Sequence, residues 1–308
     1  MRVFNTLDEV HAFFPKTCVA LGNFDGLHIG HQSVILRAVR LARQKGVASA
    51  VFTFSNHPIT ILDPQKTPPL LLNAQDKIRL LRSIGVDALV SIPFTPDFLQ
   101  LSPDQFIKLL VETLHPIHIE VGPNYSFGHR GSGTPEMLLA AGEQYGFSVE
   151  IHPAVYMGDD LVSSTVIRQM IQSGNVEKAA TYLGRPFRLK GHVIRGDGRG
   201  RTLGYPTANL SIEDGLIAPE DGVYAVEILT RHGIFQGVAN VGANPTFKGH
   251  HRRIEVFIFD FSADLYGCTI AVLFLVQLRK EITFASVTEL QTQITFDVEQ
   301  AKKFFSNR

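Results

Sequence analysis

An apolar run, Cys18-Val19-Ala20-Leu21, leads directly into Gly22-Asn23-Phe24-Asp25-Gly26-Leu27-His28-Ile29-Gly30-His31. A helix-spaced apolar pattern follows (Val34, Ile35, Ala38, Leu41, Ala42), with Gly46 placed to stop it. Strand, glycine-rich loop and helix in this order constrain the fold strongly, because in open α/β sheets ligands sit beyond the carboxyl ends of strands. Gly22, Gly26 and Gly30 let the backbone approach a ligand closely. Backbone N–H groups at the new helix start favour an anion. His28 and His31 add ring donors without a permanent charge. The same pair also suits a metal or ordinary loop positions, although no cysteine or acidic cluster nearby completes a transition-metal set.

The chain has 308 residues, enough for two domains, and its 44% hydrophobic and 19% charged residues suit ordinary globular cores. Lys+Arg and Asp+Glu both number 29, so no global charge draws the chain to nucleic acid or an anionic membrane. Cys18 and Cys268 lie in apolar runs and read as buried thiols of a reducing, cytoplasmic compartment. The first residues carry no signal-peptide core, and the apolar run at 270–276 is too short to span a bilayer. The sequence leaves oligomeric state open.

Residues 47–54 form a β-rich run that completes a βαβ unit and so implies a parallel sheet. His57-Pro58 follows at its carboxyl end, where His57 is either a ligand group or a turn residue. A helix is expected over 74–84 and a strand over 86–92. Ser102-Pro103 then caps a further helix, and a strand over 118–122 follows it. Next comes Gly122-Pro123-Asn124-Tyr125-Ser126-Phe127-Gly128. The Asn124 amide can donate and accept, and Tyr125 and Phe127 offer flat faces to an aromatic ligand or plug a strand end. Gly131 and Gly133 suggest a mobile loop. A helix over 135–145 and a strand over 147–151 lead to Ser163-Ser164-Thr165-Val166-Ile167-Arg168. There, hydroxyls, free N–H groups and a guanidinium suit a triphosphate, or simply a capped helix with a solvated arginine.

Asn175 caps a short helix to Leu183, and Gly184-Arg185-Pro186 breaks it, which puts the expected domains at 1–184 and 185–308. Beyond that point strands dominate, at 187–194, 222–230, 234–241, 254–261 and 270–278. They suggest a small closed antiparallel barrel covered by two helices near 286–294 and 297–305. A second glycine-rich element comprises Gly191, Gly196, Gly198, Gly200, Arg201, Leu203 and Gly204, and Tyr205-Pro206-Thr207-Ala208-Asn209 follows at once. Glu255 opens a strand that reads as apolar on both faces. A partly buried carboxylate there tends towards a raised pKa, as a general base needs, unless it is a surface strand-end residue. Residues 250–253 read as a solvated loop.

The first glycine-rich stretch resembles the H-x-G-H signature of nucleotidyltransferases, in the G-N-F-D-G-x-H-x-G-H form of prokaryotic bifunctional riboflavin kinase/FMN adenylyltransferases. Residues 122–128 and 163–168 resemble that family's further motifs, with departures at Asn56 (usually proline), Ser126 (often arginine) and Val166. The second glycine-rich element and P-T-A-N resemble the riboflavin kinase loop and its metal motif. The resemblance covers nearly the whole chain in the family's order. It implies a Rossmann-like nucleotidyltransferase domain with a parallel sheet, followed by a β-barrel riboflavin kinase domain, converting riboflavin to FMN and FMN to FAD with ATP. It implies ATP contacts in the first domain at Gly22, Asn23, Phe24, His28, Gly30, His31, Ser163, Ser164, Thr165 and Arg168, with flavin contacts at His57, Asn124, Tyr125 and Phe127. In the second domain it implies ATP contacts at Gly191, Gly196, Gly200, Arg201, Gly204, Pro206, Thr207 and Asn209, with Mg²⁺ on Thr207 and Asn209. Glu255 is implied as base in the kinase, His28, His31 and Arg168 as the catalytic groups of adenylyl transfer, and Asn244, Thr246 and Arg279 as flavin-side residues. An enzyme with one working half and a flavin-binding regulator without turnover are the alternatives.

Overall fold

The computed structural model describes residues 1–10, 13–196, 198–243 and 252–308. By their internal contacts the residues form two compact units, Met1–Pro69 with Asn73–Ser163, and Leu70–Leu72 with Ser164–Arg308.

The first unit alternates strands and helices in the order β1 (Arg2–Phe4), β2 (Thr17–Leu21), α1 (Ile29–Lys45), β3 (Ala48–Phe54), α2 (Ile59–Leu62), α3 (Ala74–Ile84), β4 (Ala88–Ile92), α4 (Pro96–Leu99), α5 (Pro103–Leu114), β5 (Pro116–Val121), α6 (Pro135–Tyr145) and β6 (Ser148–Ile151). A two-stranded ribbon, β7 (Tyr156–Met157) with β8 (Asp160–Leu161), completes it. The six main strands form one sheet in the order β1-β4-β3-β2-β5-β6, every pairing parallel. The expected parallel sheet is therefore present, with β1 as an edge strand that sequence patterning does not reveal.

Local chemistry sets the helix ends. Gly46 closes α1 in the left-handed conformation (φ 66°), its N–H reaching the carbonyls of Ala42 and Arg43. Ser102 and Gln105 form a reciprocal capping box around Pro103 at the start of α5. Strand β2 is buried throughout. One side is covered by Val34, Ile35, Ala38, Val39 and Ala42 of α1, which packs on β2, β3 and β5. Burying side chains of this size contributes roughly 1.5–3 kcal/mol each for the larger ones, so the loop after β2 hangs from a fully buried strand. The sequence of strands along the sheet reverses direction between β2 and β5, whose last residues, Leu21 and Val121, pair side by side. A crevice at such a reversal is where parallel sheets bind ligands.

The second unit contains α7 (Ser164–Gln172), α8 (Val176–Leu183), β9 (Phe187–Ile194), the single turn α9 (Arg199–Thr202), β10 (Thr207–Ile212), β11 (Gly222–Thr230), β12 (Gly233–Ala243), β13 (Arg252–Ile258), β14 (Thr269–Lys280) and α10 (Val287–Ser306). The six strands close into an antiparallel barrel in the order β10-β13-β12-β11-β14-β9. Helices α7 and α8 pack on each other and α8 packs on β9 and β14, which is why residues 164–183 fall with the barrel by contact although the sequence groups them with the first domain.

Several elements differ from the sequence reading. The segment after Pro206, which the sequence does not mark out as a strand, is β10, the barrel's sixth. The two terminal helices are one helix, since no proline or glycine separates 294 from 297 and Asp297 lies buried inside it. Strand β13 alternates, with Ile254, Val256 and Ile258 buried and Glu255 and Phe257 on the more open face. Arg252 and Arg253 are part of this strand rather than of a solvated loop, and His250 and His251 lie outside the described residues.

Candidate active sites

In the first unit, the loop between β2 and α1 is built around two stacked imidazoles. His28 caps α1, its Nδ1 accepting from the His31 N–H at 3.2 Å. The two rings stack with centroids 3.6 Å apart, and the Phe24 ring stands edge-on to His31 at 5.3 Å. Phe24 and Leu27 are buried and adopt left-handed backbone angles (φ 50° and 44°), costly for non-glycine residues and held here by their packing. Gly22 is required because a Cβ there would lie 2.8 Å from the Phe24 ring. Burial, then the neighbouring His28, then Lys77, hold the His31 imidazole well below its ordinary pKa, so it is neutral near pH 7. Its Nδ1 is buried without a partner among the described residues. A neutral imidazole with an uncommitted nitrogen can donate to or accept from a phosphate oxygen without bringing a full charge.

The loop is clamped from behind by residues that no sequence motif singles out. Thr53 Oγ1 and Lys77 Nζ both donate to the Asn23 carbonyl, at 3.0 and 3.1 Å. His57 follows β3, its Nδ1 accepting from the Ile59 N–H at 3.2 Å. Asn56, one residue earlier, holds this bend to the loop after β4: its amide exchanges hydrogen bonds with Phe94 N (2.7 Å) and Phe94 O (3.1 Å).

After β5, Asn124 and Tyr125 occupy the turn at the sheet's reversal. Phe127 is a core residue, 6% exposed, its ring 5.1 Å from Phe106 and 5.8 Å from Tyr125. Of the two aromatics, Tyr125 is the one with part of its surface open, and burial raises the pKa of its hydroxyl. The segment expected to be mobile is closed by paired backbone bonds, Gly133 N to Phe127 O at 2.7 Å and Phe127 N to Gly133 O at 3.2 Å. Ser163 ends the first unit by contact, while Ser164, Thr165 and the buried Arg168 belong to α7 in the second.

In the barrel, strand alternation does the assembling. Thr207 and Asn209 are two apart on β10 and share a face, as do Arg253 and Glu255 on β13. The register pairs Asn209 directly with Glu255. Thr207 Oγ1 donates to Glu255 Oε2 at 3.2 Å. The Arg253 Nε–H lies 2.8 Å from Glu255 Oε1 and 2.9 Å from Asn209 Oδ1, so one guanidinium holds both side chains in place. Hydroxyl, amide and carboxylate oxygens thus converge on one patch, the donor set a hard cation such as Mg²⁺ takes. The glycine-rich loop lies against it. A Cβ on Gly196 would fall 2.3 Å from Asn209 Nδ2, and one on Gly200 would fall 2.4 Å from the Tyr205 carbonyl and 3.2 Å from Thr207 Oγ1. Gly191 sits on the neighbouring strand, and Arg201, Gly204 and Pro206 lie on the exposed rim.

Helix α10 braces this loop: Tyr205 Oη is 2.8 Å from Thr295 Oγ1, and Gln291 Nε2 donates to the Leu203 carbonyl at 3.4 Å. Arg279 grips the buried Asp297 through Nε (3.0 Å to each oxygen) and Nη2 (2.8 Å), with Gln293 completing the carboxylate's shell at 2.8 Å. Its guanidinium is therefore committed to anchoring α10. Asn244 and Thr246 lie outside the described residues.

One further cluster resembles a metal site without being a good one. His118, Glu120 and Glu150 bring ligand atoms within 4.8 Å of one another. Arg37 already supplies the cation, 3.1 Å from Glu150 and 3.7 Å from Glu120, and His118 and His152 each bond the fully buried Glu120 through Nε2 at 2.8 and 2.6 Å. The cluster reads as a satisfied charge network on the sheet.

Comparison with known proteins agrees with the two-unit arrangement. The FAD synthetase family model matches residues 11–166, and the riboflavin kinase family model matches residues 183–305. A bifunctional riboflavin kinase/FMN adenylyltransferase of Haemophilus influenzae is 36% identical over 309 residues, covering 100% of both chains. One from Bacillus subtilis is 37% identical, covering 95% of this chain and 93% of its own. A crystal structure described as a macrolide-efflux protein from Streptococcus pneumoniae shares 35% identity and superposes with a TM-score of 0.87 over 96% of both chains. On the family models, the full-length relatives and the order of the two units, this chain belongs to the bifunctional riboflavin kinase/FMN adenylyltransferase family.

Proposed function

We propose that the barrel phosphorylates riboflavin and that the parallel-sheet unit adenylylates the product, so that residues 185–308 and 1–184 are the functional divisions of the chain. The observation that carries this reading is that each compact unit has its own glycine-lined constellation, with different chemistry in each.

In the barrel, riboflavin and ATP give FMN and ADP. Glu255 takes the proton from the attacking 5′-hydroxyl, held ready by Arg253 and by the Thr207 hydroxyl. Thr207 and Asn209 are the residues that would hold Mg²⁺, which when bound offsets charge on the transferring phosphoryl group. Gly196 and Gly200 approach these two residues so closely that a side chain at either position would displace them. Asn244 and Thr246 keep their flavin-side assignment on the motif resemblance, and Arg279 contributes through its hold on α10.

In the first unit, FMN and a second ATP give FAD and pyrophosphate. An FMN phosphate oxygen bonds to the α-phosphorus as the bond to the leaving pyrophosphate breaks. Phosphate is already a competent nucleophile, so the protein's part is positioning and stabilisation of charge. Gly22, Asn23, Phe24 and Gly30 shape the loop, and the imidazoles of His28 and His31 offer ring nitrogens to the polyphosphate. Ser163, Ser164, Thr165 and Arg168 are assigned to ATP by the motif they form, and His57, Asn124 and Tyr125 to the flavin side, with the buried Phe127 packed behind Tyr125. A cytoplasmic setting fits the two free cysteines, Cys18 and Cys268. No helix among the described residues is long and apolar enough to cross a membrane.

The deciding experiment gives purified chain riboflavin, ATP and Mg²⁺, and in a separate reaction FMN, ATP and Mg²⁺, with products separated over time. FMN then FAD should appear in the first and FAD with pyrophosphate in the second. No FAD in the second reaction would remove the adenylyltransferase half.

A further inference from the structure

Helix α3 begins in an unusual way. Asn73 caps it by accepting from the Asp76 N–H at 2.9 Å, and Lys77 follows in the first turn. A cation there sits at the positive end of the helix dipole, where an anion would be favoured. Lys77 is partly buried, and burial pushes its ammonium below the ordinary lysine pKa, with the Asp25 carboxylate pulling the other way. A helix start and partial burial both oppose this charge, so something nearby must favour it.

The nearest such surroundings are the nucleotide loop. Lys77 Nζ donates to the Asn23 carbonyl at 3.1 Å, and Thr53 Oγ1 supports the same oxygen at 3.0 Å. That carbonyl takes one of the three ammonium N–H donors. Asp25, 4% exposed, lies within electrostatic reach. So does His31, whose buried Nδ1 has no partner among the described residues. The loop therefore gathers an ammonium, a buried carboxylate and a neutral ring with an unused nitrogen, beside strained backbone at Phe24 and Leu27. An ammonium tied to a carbonyl by one N–H, with others remaining, is how a lysine is aimed at a phosphate oxygen.

We propose that Lys77 is a phosphate-binding residue of the ATP site in the first unit, aimed by the Asn23 carbonyl so that its remaining N–H donors meet the polyphosphate. This rests on the reading that the unit adenylylates FMN. His31 supplies directional hydrogen bonding in a neutral state, and Lys77 supplies the full charge that this ring lacks. The rival role for Lys77, counter-ion to Asp25 alone, predicts a different pattern of loss.

The test uses the full chain with Lys77→Met, Lys77→Gln and Lys77→Arg, each assayed for FAD from FMN and ATP and for FMN from riboflavin and ATP. The Met and Gln chains should raise KM for ATP in FAD formation at least tenfold. They should leave KM for FMN and the rate of riboflavin phosphorylation within about twofold of the parent, and the Arg chain should recover most of the loss. A folded Lys77→Met chain with the parent's KM for ATP would overturn the proposal. Failure of both the Met and Gln chains to fold, judged by thermal unfolding, would overturn it too, by making Lys77 a structural counter-ion. A parent chain that makes no FAD from FMN would sink the adenylyltransferase reading instead, which keeps the two failures apart.

Discussion

The parallel-sheet unit and the barrel each place glycines beside candidate nucleotide ligands, but they recruit those ligands from different parts of their strands. In the first unit the groups lie beyond the strand ends, in the loop after β2, with His28 and His31 at the start of α1, and in the turn after β5. In the barrel they come from the strands themselves, Thr207 and Asn209 on β10 opposite Arg253 and Glu255 on β13. A loop site can present backbone N–H groups and a helix start, and so needs little side-chain charge. A strand site has its backbone groups already paired in the ladder and must rely on side chains of alternating residues. That difference explains why one site is built on imidazoles and the other on oxygen donors steadied by a guanidinium.

The contrast can be broken most severely at Glu255. Glu255→Gln keeps the shape but removes the base, and FMN formation from riboflavin should fall by about 10²–10⁴. FAD formation from supplied FMN should stay near the parent rate, as product analysis on each substrate would read. Arg279→Leu attacks the frame of the barrel site, because it leaves the buried Asp297 unpaired. A loss of about 3–5 kcal/mol in barrel stability is expected, seen as an earlier denaturant transition, with FAD synthesis from FMN kept below that transition. His31→Ala is the mirror of Glu255→Gln and should cost about 10²–10³ in FAD formation while sparing riboflavin phosphorylation. If either active-site substitution stops both reactions in a folded chain, the two-site account is wrong.

The smallest effect concerns pH. His31 has a depressed pKa in the folded chain, so below about pH 6.5 the unfolded chain binds a proton that the folded chain refuses. Stability of the first unit should therefore fall as the pH drops through that value, by up to about 1.4 kcal/mol per pH unit from this one group. Above about 6.5 both states are neutral and the contribution vanishes. Thermal unfolding of His31→Phe should lack this part of the acid sensitivity, and an unchanged slope would show that the ring takes up its proton normally.

Periodicity and punctuation carried much of the fold. The helix over Ala74–Ile84, the capped start at Ser102 and the Gly46 stop are local events, fixed by residues a few positions apart, and the structure places them where the sequence puts them. Strand β10 was harder to read, because Thr207-Ala208-Asn209 after a proline has weak strand character and is held by partners on both sides, β9 and β13. The break expected before Asp297 failed for a similar reason. An aspartate reads as a helix start in isolation, but here Arg279, 18 residues earlier in the chain, claims its carboxylate inside a continuous helix. For Phe127 the sequence left open a ligand face or a strand-end plug, and packing against Phe106 makes it the plug.

The sequence alone determined the alternation of the first unit, the strand-rich second unit, the two glycine-rich loops and the residue types at each, since these depend on spacing and on backbone freedom within short windows. Only the tertiary structure decided which distant side chains meet them: Lys77 and Thr53 on the Asn23 carbonyl, Arg253 between Asn209 and Glu255, and Arg279 on Asp297. Such meetings follow from sheet order, strand register and helix packing, which no short window of sequence contains, and burial then gives them their strength by removing the water that would compete for the same groups.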